Sequence, residues 1–144
     1  MFSKACEYGI RSAIFIAQQS IDGKRVSIKE VSKALDSPEA YTSKILQQLK
    51  HYQIIDSTKG PRGGFSMESE KMANTTLKEI VFAFDGDSIY KGCGLGLKQC
   101  NANKPCPVHH QFAVVRDQLT DLLENTTVQS LGLKLNNGLS FLRA

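Results

Sequence analysis

The chain has 144 residues, 41% of them hydrophobic, and a formal net charge of +4, which suits one ordinary domain with its own core, or a small domain plus a dimerising extension. No apolar run approaches the roughly 18 residues of a membrane-spanning helix, so no membrane partner is expected. Residues 1–64 carry ten Lys and Arg against six Asp and Glu, and residues 65–144 carry eight against eight, so the first half is the one suited to a polyanion.

The opening MFSKACEYGIRSAIFIAQQS has an early charge and then apolar residues, as a signal peptide does, but Glu7 and Arg11 interrupt it. It reads instead as an amphipathic helix over residues 3–20. Ala5, Gly9, Ala13, Ile16 and Ala17 share one stripe, with Ile10 and Ile14 beside it. Cys6 lies on that apolar side and is expected to be a small core residue. The chain is accordingly placed in the cytoplasm, where thiols stay reduced and clustered cysteines bind metals more often than they form disulfides.

In SIKEVSKAL, Ser27 and Glu30 have capping-box spacing and start a second helix. DSP breaks the chain; Ser37 can cap and Pro38 suits a first helical position, so a third helix runs to His51. Its apolar stripe is Tyr41, Ile45, Leu46 and Leu49. Two short β-like runs in IIDSTKGPRGGFSM then flank a glycine-rich centre, a hairpin with Lys59 and Arg62 at its tip. Thr76 and Glu79 repeat the capping-box spacing before the helix TLKEIVFAF. Residues 85–106 show neither helical nor strand period.

From Pro107 a helix carries Val108, Phe112, Val115, Leu119 and Leu122 at spacings of 4, 3, 4 and 3. That is the a/d pattern of a helix paired with a partner helix, and packing on its own core is the alternative. The last segment, LGLKLNNGLSFLRA, is short and apolar and is expected to pack back on the dimer or on the first helix.

Helix, capped helix, turn, helix and hairpin is the order of a winged helix-turn-helix. The third helix then enters the major groove and the hairpin tip reaches phosphates or the minor groove. The expected fold is mainly α with a small β-hairpin wing. Residues 1–84 form the DNA-binding domain, 85–106 a cysteine-rich loop, and 107–144 a long dimerisation helix with a C-terminal segment. Tyr41, Ser43, Lys44, Gln47, Lys50, Lys59 and Arg62 are the candidate DNA-binding residues. A helical domain with a merely solvated basic face is the bland alternative.

The loop CGLGLKQCNANKPCPVHH gives the spacing Cys93-x6-Cys100-x5-Cys106-x2-His109. Three thiolates and an imidazole suit an iron–sulfur cluster or a Cys3His zinc site, whereas a disulfide would leave an odd thiol. Glycines let the loop wrap a compact centre, Pro105 and Pro107 stiffen the third ligand, and Lys91, Lys98 and Lys104 offset thiolate charge. No phosphate-binding glycine fingerprint, nucleophile elbow or paired carboxylates accompany the loop, so no enzyme is expected. A small iron–sulfur electron carrier is the lower-ranked rival, since it needs neither basic helix nor wing.

The run YTSKILQQLKHYQIIDSTKGPRGGF, together with EYGIRSAIFIA in the first helix, resembles the Rrf-two family of bacterial winged-helix regulators, which has IscR-like and NsrR-like members. The resemblance covers nearly the whole chain. It departs from the family at Lys59, a point charge where the wing has an arginine fork, and at Ser43 and Lys44, so operator preference does not carry over. The first cysteine gap is also one residue longer than the family's. The resemblance implies an iron–sulfur cluster, 2Fe–2S, on Cys93, Cys100 and Cys106, with zinc as the alternative. His109 matches the fourth ligand of IscR-like members, and Glu7 of the partner subunit matches that of NsrR-like members. The implied function is a homodimeric regulator on a palindromic double-stranded DNA operator, nucleoid-associated when bound. Its cluster senses iron–sulfur status, nitric oxide or redox state. A regulator of the same fold with structural zinc, or with metal-free thiol sensing, is the alternative.

Overall fold

A computed structural model describes residues 1–143. Its elements follow in chain order as α1 (Lys4–Ile21), α2 (Ile28–Leu35), α3 (Glu39–His51), β1 (Asp56–Thr58), β2 (Gly64–Ser66), α4 (Ser69–Asn74), α5 (Leu77–Asp85), α6 (Ser88–Lys91), α7 (His109–Asn125) and α8 (Val128–Asn136). The fold is mainly helical with one antiparallel hairpin, as the sequence predicts.

Local chemistry sets the boundaries of the first two helices. Ser3 caps α1 by accepting the Cys6 amide at 3.1 Å. At α2 the capping box is complete: Ser27 Oγ accepts the Glu30 amide at 3.1 Å, and Glu30 Oε1 accepts the Ser27 amide at 3.3 Å. Asp36, at φ 52°, then ends α2 in the left-handed region, which Asp tolerates better than most residues.

Two predicted caps differ. Pro38 is extended (φ −61°, ψ 140°) and takes the N-cap position of α3 without a side-chain capping bond. Ser37 therefore lies one residue outside the helix, and its hydroxyl pairs with Thr42 Oγ1 at 2.6 Å. Thr76 makes no side-chain cap either. Its backbone instead bridges Thr127, and the Leu77 amide donates to Thr126 O at 3.0 Å. A tertiary backbone contact thus satisfies a donor that a capping box would otherwise leave free.

Three further boundaries depart from expectation. α4 fills a stretch that shows no periodicity, and α6 is a single turn within residues 85–106. Both are too short to show a period. α7 begins at His109, with Val108 as its N-cap, rather than at Pro107.

α1 is the centre of the core. Cys6, Ala13, Ile16 and Ala17 on α1 join Val31, Leu46, Leu49, Ile80, Val81 and Val128, all essentially without solvent exposure. Each large aliphatic side chain buried in this way contributes roughly 2 kcal/mol. α8 packs back along α1, where a Cβ on Gly132 would stand 3.1 Å from Ile21 Cδ1 and 3.2 Å from Gln18 N. The small residue permits that close crossing. The C-terminal segment therefore lies on the first helix, one of the two placements the sequence suggests.

The hairpin pairs Asp56 with Ser66, Ser57 with Phe65, and Thr58 with Gly64. Val26, just before α2, adds a short third strand: its amide donates to Phe65 O at 3.0 Å, and the Phe65 amide donates to Val26 O at 2.7 Å. Gly64 has φ +133°, and a Cβ there would lie 2.7 Å from Val26 O. Only glycine fits both the conformation and the space.

Candidate nucleic-acid interface and cysteine centre

α3 is held by its inner face. Ile45, Leu46 and Leu49 are buried, and Tyr41 is half-buried with its ring edge-on to Tyr8, centroids 5.3 Å apart. Thr42, absent from the predicted stripe, is also buried, and its hydroxyl donates to Pro38 O at 3.0 Å. That leaves Lys44, Gln47 and Lys50 exposed, with Ser43 at the margin and 3.4 Å from Gln47 Nε2. Tyr41 thus anchors the helix as much as it faces outward.

Lys59 and Arg62 are exposed at the wing tip, flanking a turn closed by the Gly63 amide on Gly60 O at 2.9 Å. Arg25 Nη1 donates to Arg62 O at 3.4 Å. This exposed cation therefore belongs to the wing, a placement that only the Val26–Phe65 pairing reveals. Lys71 Nζ binds Asp56 Oδ1 at 2.7 Å at the hairpin base, which neutralises the one carboxylate in β1. The helix face and the wing together present five basic side chains: Arg25, Lys44, Lys50, Lys59 and Arg62.

The cysteine loop begins beside the N-terminus of α1. The Ser3 amide donates to Asp85 Oδ2 at 2.8 Å, and the Ser3 hydroxyl bonds the same carboxylate, so the end of α5 is tied to the start of α1. Cys6 is fully buried there. Burial foremost, and the Asp85 carboxylate next, push its thiol up to about 12. That makes it an inert core residue.

The other three thiols behave differently. Cys93 Sγ accepts the Leu95 amide at 3.4 Å. The amides of Leu95 and then Leu97 hold this thiol below its ordinary value, and Cys106 contributes as a side-chain donor, while partial burial opposes the shift. A backbone amide directed at a sulfur favours its anionic form. Cys100 Sγ lies 3.3 Å from Nδ1 of His109. His109 is only 9% exposed, whereas His110 is exposed and its ring stands edge-on to that of His109.

Of the four sequence-predicted ligands, Cys100 and His109 are in contact. The four do not meet at one point, and no group of three or more potential ligands among the described residues is placed to hold a single metal ion. Glu7 is occupied within its own chain by Lys4 Nζ at 3.2 Å. The donor set still fits a two-iron cluster, in which each iron takes two protein ligands and thiolate or imidazole serves.

α7 turns little of itself inward. Only His109 and Leu123 are buried, and Glu124 ion-pairs with Lys78 of α5 at 2.5 Å. The remainder of the predicted stripe is turned outward: Phe112, Val115 and Leu122 are 39%, 58% and 54% exposed, while Leu119 packs on the core. Arg116, which no sequence motif marks, binds the carbonyls that close α6. Its partners lie 24 and 25 residues away, so no local pattern could have found it.

Comparison with known proteins agrees with this geometry. A family described as "Rrf2: Iron-dependent Transcriptional regulator" matches residues 2–132. A protein of Aquifex aeolicus described as an HTH-type transcriptional regulator is 29% identical over 133 residues, covering 91% of this chain and 90% of that one. The HTH-type transcriptional regulator IscR of Pectobacterium atrosepticum is 23% identical over 124 residues, covering 86% and 74%. Among solved structures, CymR (YrzC), the global cysteine regulator of B. subtilis, superposes with a TM-score of 0.75 at 20% identity, covering 92% of this chain and 96% of that one. T. potens IscR gives 0.74 at 16% identity, covering 97% and 91%. Helix, wing and family match converge: the chain belongs to the Rrf2 family of DNA-binding, helix-turn-helix transcriptional regulators, and it is not an enzyme.

Proposed function

We propose that this regulator acts in the bacterial cytosol as a homodimer on a palindromic operator, with an iron–sulfur cluster setting its affinity for DNA. Residues 1–84 are the DNA-binding head, residues 85–106 the sensor loop, and residues 107–144 the dimerisation helix with a segment that returns to the head. The reading rests chiefly on the contact of Cys100 with buried His109 at the head of α7, and on Cys93, whose sulfur accepts the Leu95 amide. The family's description as iron-dependent supports it as well.

In this account Cys93, Cys100, Cys106 and His109 hold a 2Fe–2S cluster, and Glu7 of the partner subunit is the alternative fourth ligand. When bound, the cluster supplies a centre that gains and loses electrons or reacts with nitric oxide. The chain's own residues do the rest. Amides of Leu95 and Leu97 favour the anionic form of Cys93. Lys44, Gln47 and Lys50 face the major groove with Tyr41 and Ser43 at its edge, and Lys59 and Arg62 contact phosphates or the minor groove. Two heads joined through α7 place two α3 helices on half-sites about one helical turn apart.

A metal-free thiol sensor of the same fold is the second reading, favoured by the amides that hold the Cys93 thiol below its ordinary pKa. Anaerobic purification with visible spectroscopy and analysis of iron, sulfide and zinc separates the readings. Charge-transfer bands with two irons and two sulfides per chain support the cluster. A colourless protein with one zinc per chain supports structural zinc, and a colourless metal-free one supports thiol sensing.

A further inference from the structure

We propose that Arg116 is the positioning residue that ties the cysteine loop to α7, an inference that rests on the cluster-sensing reading above. Arg116 lies near the middle of α7, and its Nη1 donates to Gly92 O at 2.6 Å and to Lys91 O at 3.4 Å. These are carbonyls at the end of α6, where the helix has no partner of its own for them and a cation is favoured.

One turn earlier on α7, the ring of Phe112 lies against Gly94. A Cβ built on Gly94 would stand 2.5–2.7 Å from the ring carbons, so only a residue without one lets the loop lie so close. Cys93 is therefore bracketed. The residue before it is held by Arg116 and the residue after it by Phe112. Neither contact uses a proposed cluster ligand.

The Nε of the Arg116 guanidinium is buried with no hydrogen-bond partner among the described residues. An unpartnered buried donor is unfavourable, and an apolar side chain at this position would avoid it. What Arg116 provides is a connection. Phe112 also stands on the outward stripe assigned to the partner helix, so a displacement at Cys93 is carried to the pairing face through two side chains one turn apart. A connection of this kind is what any ligand-driven shift between two arrangements requires.

The test uses the full chain as parent and as Arg116→Gln, Arg116→Lys and Gly94→Ala, with a DNA duplex selected by the parent from a random pool. Trypsin cleavage of the metal-free protein is followed by mass spectrometry at the Lys91–Gly92 bond, which Arg116 straddles, against the exposed Lys59–Gly60 bond as internal reference. Arg116→Gln is expected to raise the relative cleavage at Lys91 roughly tenfold, as loss of a charge-assisted hydrogen bond implies. Its metal-free DNA affinity stays at the parent value, while its ratio of cluster-loaded to metal-free affinity falls towards one. Arg116→Lys, which restores one charged donor, gives intermediate values for both. Gly94→Ala loosens the same segment from the Phe112 side and moves both readouts in the same direction.

Parent-like cleavage and a parent-like affinity ratio in Arg116→Gln and Gly94→Ala overturn the proposal. A parent protein with equal loaded and metal-free affinities overturns the sensing reading instead, and the cleavage comparison then decides by itself whether Arg116 holds the loop.

Discussion

Replacing Val115 and Leu122 together by alanine removes apolar surface that the chain's own core does not use. Phe112 is left in place because it also seats Gly94. The two side chains are 58% and 54% exposed, so rather more than half of each is available to a partner. Full burial of such a side chain contributes about 2 kcal/mol. Scaled by exposure, the pair supplies about 2 kcal/mol per chain, and about 4 kcal/mol across a two-fold interface to which each copy gives the same patch. The double variant should therefore dimerise up to roughly three orders of magnitude more weakly. Sedimentation equilibrium over a dilution series reads the constant directly. Thermal melting supplies a second readout, since dimerisation makes the parent's Tm rise with concentration and the variant should lose that dependence. A dimer constant within a factor of about three of the parent's would refute the assignment of this stripe to a partner helix.

Five other outcomes follow from the same geometry. Alanine at Lys59 or Arg62 should lower DNA affinity across all sequences and reduce the salt slope by about one for each phosphate no longer neutralised, whereas changes at Ser43 or Lys44 should alter sequence preference in a selection experiment. Gly64→Ala meets both a left-handed φ and the Val26 carbonyl; it should destabilise the wing by about 1–2 kcal/mol or more and weaken DNA binding while leaving helical circular dichroism intact. Ser27→Ala should cost about 1 kcal/mol in urea unfolding, because it opens a complete capping box. In the metal-free protein, alkylation at neutral pH should be fastest at Cys93, whose thiolate the Leu95 and Leu97 amides favour, and slowest at Cys6. The Cys6 thiol is raised from 9.0 to about 12. Its contribution to stability is thus fully present below pH 9 and is lost as pH rises from 9 towards 12, where the unfolded chain ionises first. Cys6→Ala should flatten that alkaline loss in a urea titration.

The parts of the fold legible in the sequence are those written in local chemistry. The Ser27–Glu30 box, the α1 stripe and the glycine-rich wing each declare themselves within a few residues. What escaped is tertiary. Ser37 matches a cap by residue type but pairs with Thr42, and Thr76 matches one but pairs its backbone with Thr127. In both places a long-range or turn-specific partner outcompetes the local pattern. The site shows the same division. Spacing and the family resemblance named Cys93, Cys100, Cys106 and His109, and the structure puts two of them 3.3 Å apart. The contact of Cys100 with His109, the link from Arg25 to the wing and the grip of Arg116 all depend on contacts across chain separations that no periodicity reports.

The most direct test of cluster sensing compares the affinity of cluster-loaded and metal-free protein for one selected duplex. It is done anaerobically, at a single salt concentration and with the dimer constant known for each form. A cluster that shifts the equilibrium between two arrangements of the heads must produce different affinities, by at least about fivefold if the coupling is of ordinary size. That difference is the expected result, and alanine at Cys100 or His109 is expected to abolish it while the metal-free affinity holds. Equal affinities for a demonstrably loaded and a demonstrably empty protein would contradict cluster sensing, and would leave a winged-helix regulator whose cysteine loop serves another end.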